Sequence, residues 1–396
     1  MTGYEDGVPG YLTFRVTPQE GPVAAFAEQE AWQARELYPD LNGLALAEFF
    51  YAKELDSGGW ALSKHLSDAP QGARDSLGHH FRMRAARARD EGDERAHAEW
   101  TAAALRMDRE VVDEVRVRGE RFRIVRASRF LRTGPDGPEP PRPSDPDPAE
   151  AGEAHTLPSR IEGHVIDPRL GTGLADGLLR LDLLRFLGAV PGAPAGLRED
   201  ALDAAERCPG GVLLPAVFMI SERVDGRWQA FHPGASDDTP QGARDGLTTW
   251  LRVMAPFTLV MTDEDRAAYA RAADLLDEQR CDDLVVDGRW FRVTRVERLV
   301  RLGPDGPEGP RPHDFDPDPP VAVQSERSAD GGRWRAGDDG DGDDEDDEDL
   351  PNPVVEQQVR ELQVLWEQEL ARRAAARERR ADRRRGASGR TGPAEG

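Results

Sequence analysis

Lysine, cysteine and long apolar runs are nearly missing from this chain. Lys53 and Lys64 are the only lysines among 52 basic residues, so arginine carries almost all the positive charge. That bias reads as the codon habit of a GC-rich genome before it reads as recognition chemistry. Cys208 and Cys281 are the only cysteines, at non-equivalent places in the two halves. Two such residues cannot build a disulfide framework or a cysteine-rich zinc site, and a reducing, cytoplasmic setting is the expectation. No window approaches 18 consecutive apolar residues, and Met1 to Tyr11 has neither a basic n-region nor an apolar h-region. Neither a membrane span nor a secretory leader is therefore expected.

Several chemical signatures are also missing. There is no Gly-x-x-x-x-Gly-Lys-Ser/Thr loop, no Gly-x-Ser-x-Gly elbow and no Rossmann fingerprint between a strand and a helix. His79 and His80 are adjacent and diverge on a helix, and no His-Glu-x-x-His spacing is present. The other histidines do not recur between the two halves, so no metal site and no cofactor are expected. Asp339 to Asp343 alternates Asp and Gly but lacks the closing glutamate of an EF-hand.

The net charge is −23 over 396 residues, and about −17 of it lies before residue 323. An acidic body disfavours non-specific binding to nucleic acid or to an anionic membrane. Nucleic acid stays open only for the arginine-rich tail, Arg372 to Arg385.

Self-similarity is the strongest signal. Pro70-Gln71-Gly72-Ala73-Arg74-Asp75 recurs letter for letter as Pro240-Gln241-Gly242-Ala243-Arg244-Asp245, and Val117–Asp147 matches Val286–Asp316 at about 18 of 31 positions. The spacing between the blocks changes by one residue. The fold class expected is α+β: two tandemly duplicated modules of helices packed on small antiparallel sheets, at 10–150 and 160–320. A disordered acidic linker (321–353), an amphipathic then Arg-rich helix (354–385) and a disordered end (386–396) follow.

Within each copy, helices are expected over about 20–37, 173–187 and 197–207. Thr239 reads as an N-cap before Pro240; Ala69 stands in its place in the first copy, leaving Ser67 or Asp68 to cap. Arg118-Gly119, Asp225-Gly226 and Asp287-Gly288 read as hairpin turns. Each copy then runs through Gly-Pro-Asp-Gly-Pro-Glu into a Pro-rich arm, expected to pack across its own module. In the tail, Val355, Val359, Leu362, Trp366 and Leu370 form an apolar helical stripe.

The repeated Gly-Pro-Asp-Gly-Pro-Glu (134–139 and 303–308), followed by Pro-Arg-Pro and spaced aspartates, resembles an uncharacterised family of actinobacterial (Streptomyces-type) proteins known only as a domain of unknown function. The resemblance covers about residues 10–320. It implies a cytoplasmic actinobacterial origin and carries no activity, cofactor or catalytic residue.

Two sets of residues are candidates for binding. Arg123, Arg126, Arg129 and Arg132 recur as Arg292, Arg295, Arg298 and Arg301; on a strand they alternate between faces. Arg126, Arg129, Arg295 and Arg298, with Arg74 and Arg244 of the hexapeptide, could clamp a phosphate or carboxylate. The plainer reading is that they form ion pairs on an acidic protein or blunt an edge strand. Gln71/Gln241 and Asp75/Asp245 fit a helix start without any ligand, whereas the glycine at the third position hints at close packing. In the tail, Val359, Leu362, Trp366 and Leu370 are the candidate docking face, which could meet another protein, the tail's own acidic run or a second chain. The leading expectation is a non-enzymatic protein-interaction module with an unidentified protein partner and no membrane association. The alternative is an anion- or small-ligand-binding protein, an enzyme included, with a site in the cleft between the modules. The oligomeric state is left open.

Overall fold

The computed structural model describes residues 9–18, 20–186, 195–232, 235–329 and 353–388. The acidic run 338–349 and residues 389–396 lie outside them, as does the disorder expected there. In the first half, α1 (Pro22–Leu37) leads into β1 (Asp40–Gly43), β2 (Glu48–Glu54) and β3 (Trp60–Leu62). Helices α2 (Pro70–Asp90) and α3 (Glu94–Arg109) follow, then β4 (Glu114–Val117), β5 (Glu120–Gly134) and β6 (Gly137–Pro138). A short β7 (Val165–Ile166) precedes α4 (Leu174–Arg185) and α5 (Ala195–Arg207). The second half continues with β8 (Gly210–Val224), β9 (Arg227–Ala230), α6 (Pro240–Thr249), a π-helical turn at Trp250–Met254, α7 (Ala255–Thr258) and α8 (Asp263–Gln279). It closes with β10 (Asp283–Val286), β11 (Arg289–Gly303) and β12 (Gly306–Pro307), and the chain ends in α9 (Val321–Ala329) and α10 (Pro353–Ser388).

Local signals place these elements where the sequence expects them. Thr239 accepts a bond from Gly242 N, and Thr262 with Asp265 forms a reciprocal capping box at the start of α8. The three hairpin dipeptides have left-handed backbones, with Arg118 at φ 52°, Asp225 at 49° and Asp287 at 49°, each followed by a left-handed glycine. Residues 321–329, read from sequence as linker, are helical in α9, which packs on α3.

The class is α+β, but the separate small sheets expected from the sequence are a single antiparallel sheet of twelve strands. Its spine runs β7-β3-β2-β5-β11-β8-β9. The long strands β5 and β11 pair at its centre, with Arg129 opposite Arg298, Ser128 opposite Leu299 and Phe130 opposite Glu297. Two 15-residue strands with free edges satisfy their backbone groups by pairing with each other. The arginine series therefore lies on central strands, and the reading that it blunts an edge does not hold. One apolar cluster gathers Phe49, Leu77, Phe81, Trp100, Met107 and Phe122 under α2 and α3; another gathers Leu247, Leu251, Tyr269, Leu276 and Phe291 under α6 and α8.

The Pro-rich arms do not stay on their own half. After the Gly-Pro-Asp-Gly turn, Glu139 O accepts from Arg295 N, and Glu308 O accepts from Arg126 N. The same exchange repeats at the tips. A methyl group at Gly137 would overlap the Trp228 indole, and one at Gly306 would come within 2.9 Å of Trp60. Farther along, Asp147 accepts from Gln241 N at 2.8 Å and from Arg244 Nη1 at 2.7 Å. In mirror fashion Asp316 accepts from Gln71 N at 2.8 Å and from Arg74 Nη1 at 2.5 Å. Each helix start is thus closed by an aspartate from the opposite half. That explains how α2 begins at Ala69 without a side-chain cap of its own.

Replacing either Asp147 or Asp316 by alanine removes a helix-terminal bond and strips a carboxylate from an arginine whose side chain is only 4–5 % exposed. Each variant is expected to lose roughly 2–3 kcal/mol of stability. In urea unfolding both should lower the midpoint of one shared transition. Two separated transitions would show that the halves unfold independently.

Candidate functional site

A cleft of about 970 Å³ opens on the flank of the β5–β11 seam. Its floor is Arg298 from β11, Phe50 from β2 and Val217 from β8. One wall is the segment 154–161 with Pro146 and Pro148 of the first arm; the other is the strand-to-helix turn Ser236–Thr239 and the face of α6. Trp366, Leu370, Arg373 and Arg377 of α10 overhang the opening. Both halves and the tail helix therefore contribute.

Beneath the floor lies a buried ionic centre. Glu48, 1 % exposed, accepts from Arg298 Nη1 at 2.9 Å and from Ser236 Oγ at 2.8 Å, and stands 3.7 Å from Arg129 Nη1. Both arginines also donate into breaks in the neighbouring strands. Arg129 Nε reaches Leu46 O in the gap between β1 and β2, and Arg298 reaches Pro215 O where β8 slips register. Burial pulls the Arg129 guanidinium below its usual range. The carboxylate that draws the two guanidiniums together has no counterpart in the repeat: Val217 stands where Glu48 does.

Asp237 is the group with chemistry to spare. Its backbone bridges Phe218, and among the described residues its carboxyl has no hydrogen-bond or ion-pair partner. Gly242 packs so closely that a methyl group there would come within 2.7 Å of the Asp237 side chain; Gly72 sits tighter still against Ser67. This is the close approach for which the hexapeptide keeps its glycine. Burial, then the negative charges of Asp245 and Asp238, push the Asp237 carboxyl up to about 7. Asp245 holds the wall through Gly152 N at 2.7 Å and Ala154 N at 3.1 Å, and Asp238 accepts from Arg160 N at 2.9 Å.

Of the six arginines singled out from sequence, only Arg298 lines the cleft. Arg126 is held by Asp314 at 2.9 Å and donates to Ser128 Oγ. Arg295 is held by Asp145 at 3.1 Å and by Glu297. Arg74 and Arg244 are shared between the opposite arm and Asp113 or Asp282. The anion at these arginines is the chain's own carboxylate, as the plainer reading holds.

The tail stripe is placed differently from its neighbours on α10. Val359, Trp366 and Leu370 stay 46–50 % exposed and Leu362 is half-buried. It is the polar face that docks: Glu369, 3 % exposed, binds Arg372 and Arg373, while Arg372 reaches Asp277 and Arg373 reaches Thr249 Oγ1. The helix lies on the π-helical turn, where Pro256 interrupts the run that is continuous in α2.

Sequence reasoning missed Asp237, Asp238, Arg160 and Glu48. The signal available was departure from the repeat, since Asp237 replaces Ser67 and Glu48 replaces Val217. Among the described residues no three His, Cys, Asp or Glu side chains group closely enough to hold a metal ion, and no helix is long and apolar enough to cross a membrane.

The raised Asp237 carboxyl sets a pH dependence. The folded state keeps the proton up to about pH 7, whereas the unfolded chain releases it near 3.8. Between these values the folded state binds more protons, so this group's contribution to stability falls as pH rises, and levels off above about 7. Asp237→Asn should match the native chain near pH 4 and exceed it by on the order of 4 kcal/mol at pH 8. Denaturant midpoints across pH 4–8 check this; a constant offset at all pH values would contradict it.

Neither the curated proteins nor the solved structures give a match to the chain. A family model does match, over residues 21–317, which take in the exchanged arms and most of the cleft but not α10. By that match the chain belongs to the family of unknown function DUF5954.

Proposed function

We propose that this protein binds a small organic molecule in the cleft between its halves, with Asp237 as the polar anchor. The observation that supports this most directly is a proton-poised carboxyl, without a partner among the described residues, inside a mainly apolar cleft of about 970 Å³. Ligand sites combine apolar walls with a few convergent polar groups in this way. Phe50, Leu66, Leu157, Ile161, Val217 and Trp366 supply the apolar lining. A ligand carrying an amine suits the anchor best, because its charge would draw Asp237 into the carboxylate form and release a proton near neutral pH. Helix α10 acts as a cover, with Trp366 over the apolar part.

Two further readings support this frame. The halves are tandem copies of one module, on the strength of the sequence repeat and the reciprocal arm contacts. The setting is cytoplasmic, in keeping with two cysteines that are both free. A second reading, docking of a partner protein on α10, is favoured by the exposure of Val359, Trp366 and Leu370.

Native mass spectrometry of the full-length protein, gently isolated from its own cells, separates the two. A small mass lost on denaturation supports the cleft, and its retention should fall about tenfold or more in Asp237→Asn and Trp366→Ala. A co-isolated protein, lost on replacing Val359 and Trp366, supports docking. A small mass retained equally by Asp237→Asn and Trp366→Ala would refute the proposed anchor.

A further inference from the structure

Away from the cleft, Arg132 is a buried arginine whose charge no carboxylate among the described residues answers at close range. It follows Arg126 and Arg129 on β5 and is 4 % exposed. The partners of Arg126 and Arg295 are aspartates near 3 Å. Arg132 has no carboxylate within ion-pair distance among the described residues, and its one hydrogen bond is a long 3.4 Å contact to Tyr38 O at the end of α1. Its counterpart in the repeat, Arg301, donates to Leu184 O at 2.8 Å as well as to Cys208 O at 3.4 Å. A guanidinium offers five N–H donors, so most of those on Arg132 lack a protein acceptor.

These donors border a pocket of about 440 Å³ between α1, β1 and α4. Two more arginines line it, Arg35 and Arg185, with a single carboxylate, Asp182, already held by Arg35 at 2.6 Å. Three positive charges against one leave an excess of two. The carboxylates that act on Arg132 from farther away, Glu139 and Glu297, are engaged by Arg142 and Arg295. Leu41 and Phe186 form an apolar side.

We propose that this pocket binds a phosphorylated small molecule, its phosphate among Arg35, Arg132 and Arg185 and its organic part against Leu41 and Phe186. The charge excess matches a phosphate dianion better than a carboxylate, and guanidinium forks suit phosphate oxygens. The volume fits a small ligand beyond the phosphate alone. This site is independent of the cleft: none of its lining residues is shared with it.

Calorimetric titration of the full-length chain with phenyl phosphate, inorganic phosphate and benzoate tests the idea. Phenyl phosphate should bind with a Kd below about 1 mM, with inorganic phosphate weaker and benzoate weaker still. Arg185→Ala changes an exposed residue and should weaken phenyl phosphate about tenfold; Arg132→Gln should weaken it further if it folds. Failure of phenyl phosphate to bind would overturn the proposal. So would binding that Arg185→Ala leaves unchanged, or benzoate binding as tightly as phenyl phosphate. Asp237→Asn should leave the titration unaltered, which keeps this result separate from the fate of the cleft.

Discussion

A helix start and a buried arginine both call for an anion, and in this protein one aspartate answers both. Asp147 and Asp316 each accept from a first-turn backbone N–H and from the guanidinium one turn later. In both cases the aspartate arrives from the other half of the chain. The arms can make this crossing because β5 and β11 lie side by side and antiparallel, which points the end of each strand over the opposite wing. Without the crossing, Arg74 and Arg244 would keep only Asp113 and Asp282, and two helix starts would lose an acceptor. The joined sheet and the exchanged arms therefore depend on each other.

The candidate site comes from the places where this near-symmetry fails. Arg129 and Arg298 face one another across the seam, and Glu48 lies between them without a partner on the other side. Asp237 takes the position that Ser67 holds in the first half, and its longer acidic side chain is left beside the cleft with no donor among the described residues. The π-helical turn replaces continuous helix at the place where α10 comes to rest. Each difference is small by itself. Together they give one flank of the seam a lined cleft with an overhanging helix.

Much of the local structure was legible from residue patterns. Thr239-Pro240 marked the start of α6, Asp287-Gly288 marked the β10–β11 turn, and the helices expected over about 20–37 and 197–207 correspond to α1 and α5. The fate of the arginines was only partly legible. Their abundance beside so many carboxylates pointed to ion pairing, but spacing could not say that Arg244 pairs with Asp147 across nearly a hundred residues of chain. Asp237 was legible only as a departure from the repeat, where Ser67 stands in the first half; nothing else in Ser236-Asp237-Asp238 differs from an ordinary helix-leading turn. Its altered proton affinity comes from burial and from Asp245, contributions that exist only after folding.

By itself the sequence determined most of the secondary structure, the internal repeat and the acidic, arginine-dominated composition, because these rest on backbone preference and short-range spacing. Tertiary structure decided that β5 pairs with β11, that the arms change sides, and that one buried carboxylate lies between two arginines at the seam. Those outcomes depend on which donors and acceptors end up sharing a dry interior. A guanidinium seeks the nearest carboxylate in space, and distance in space is the quantity that a linear order of residues does not contain.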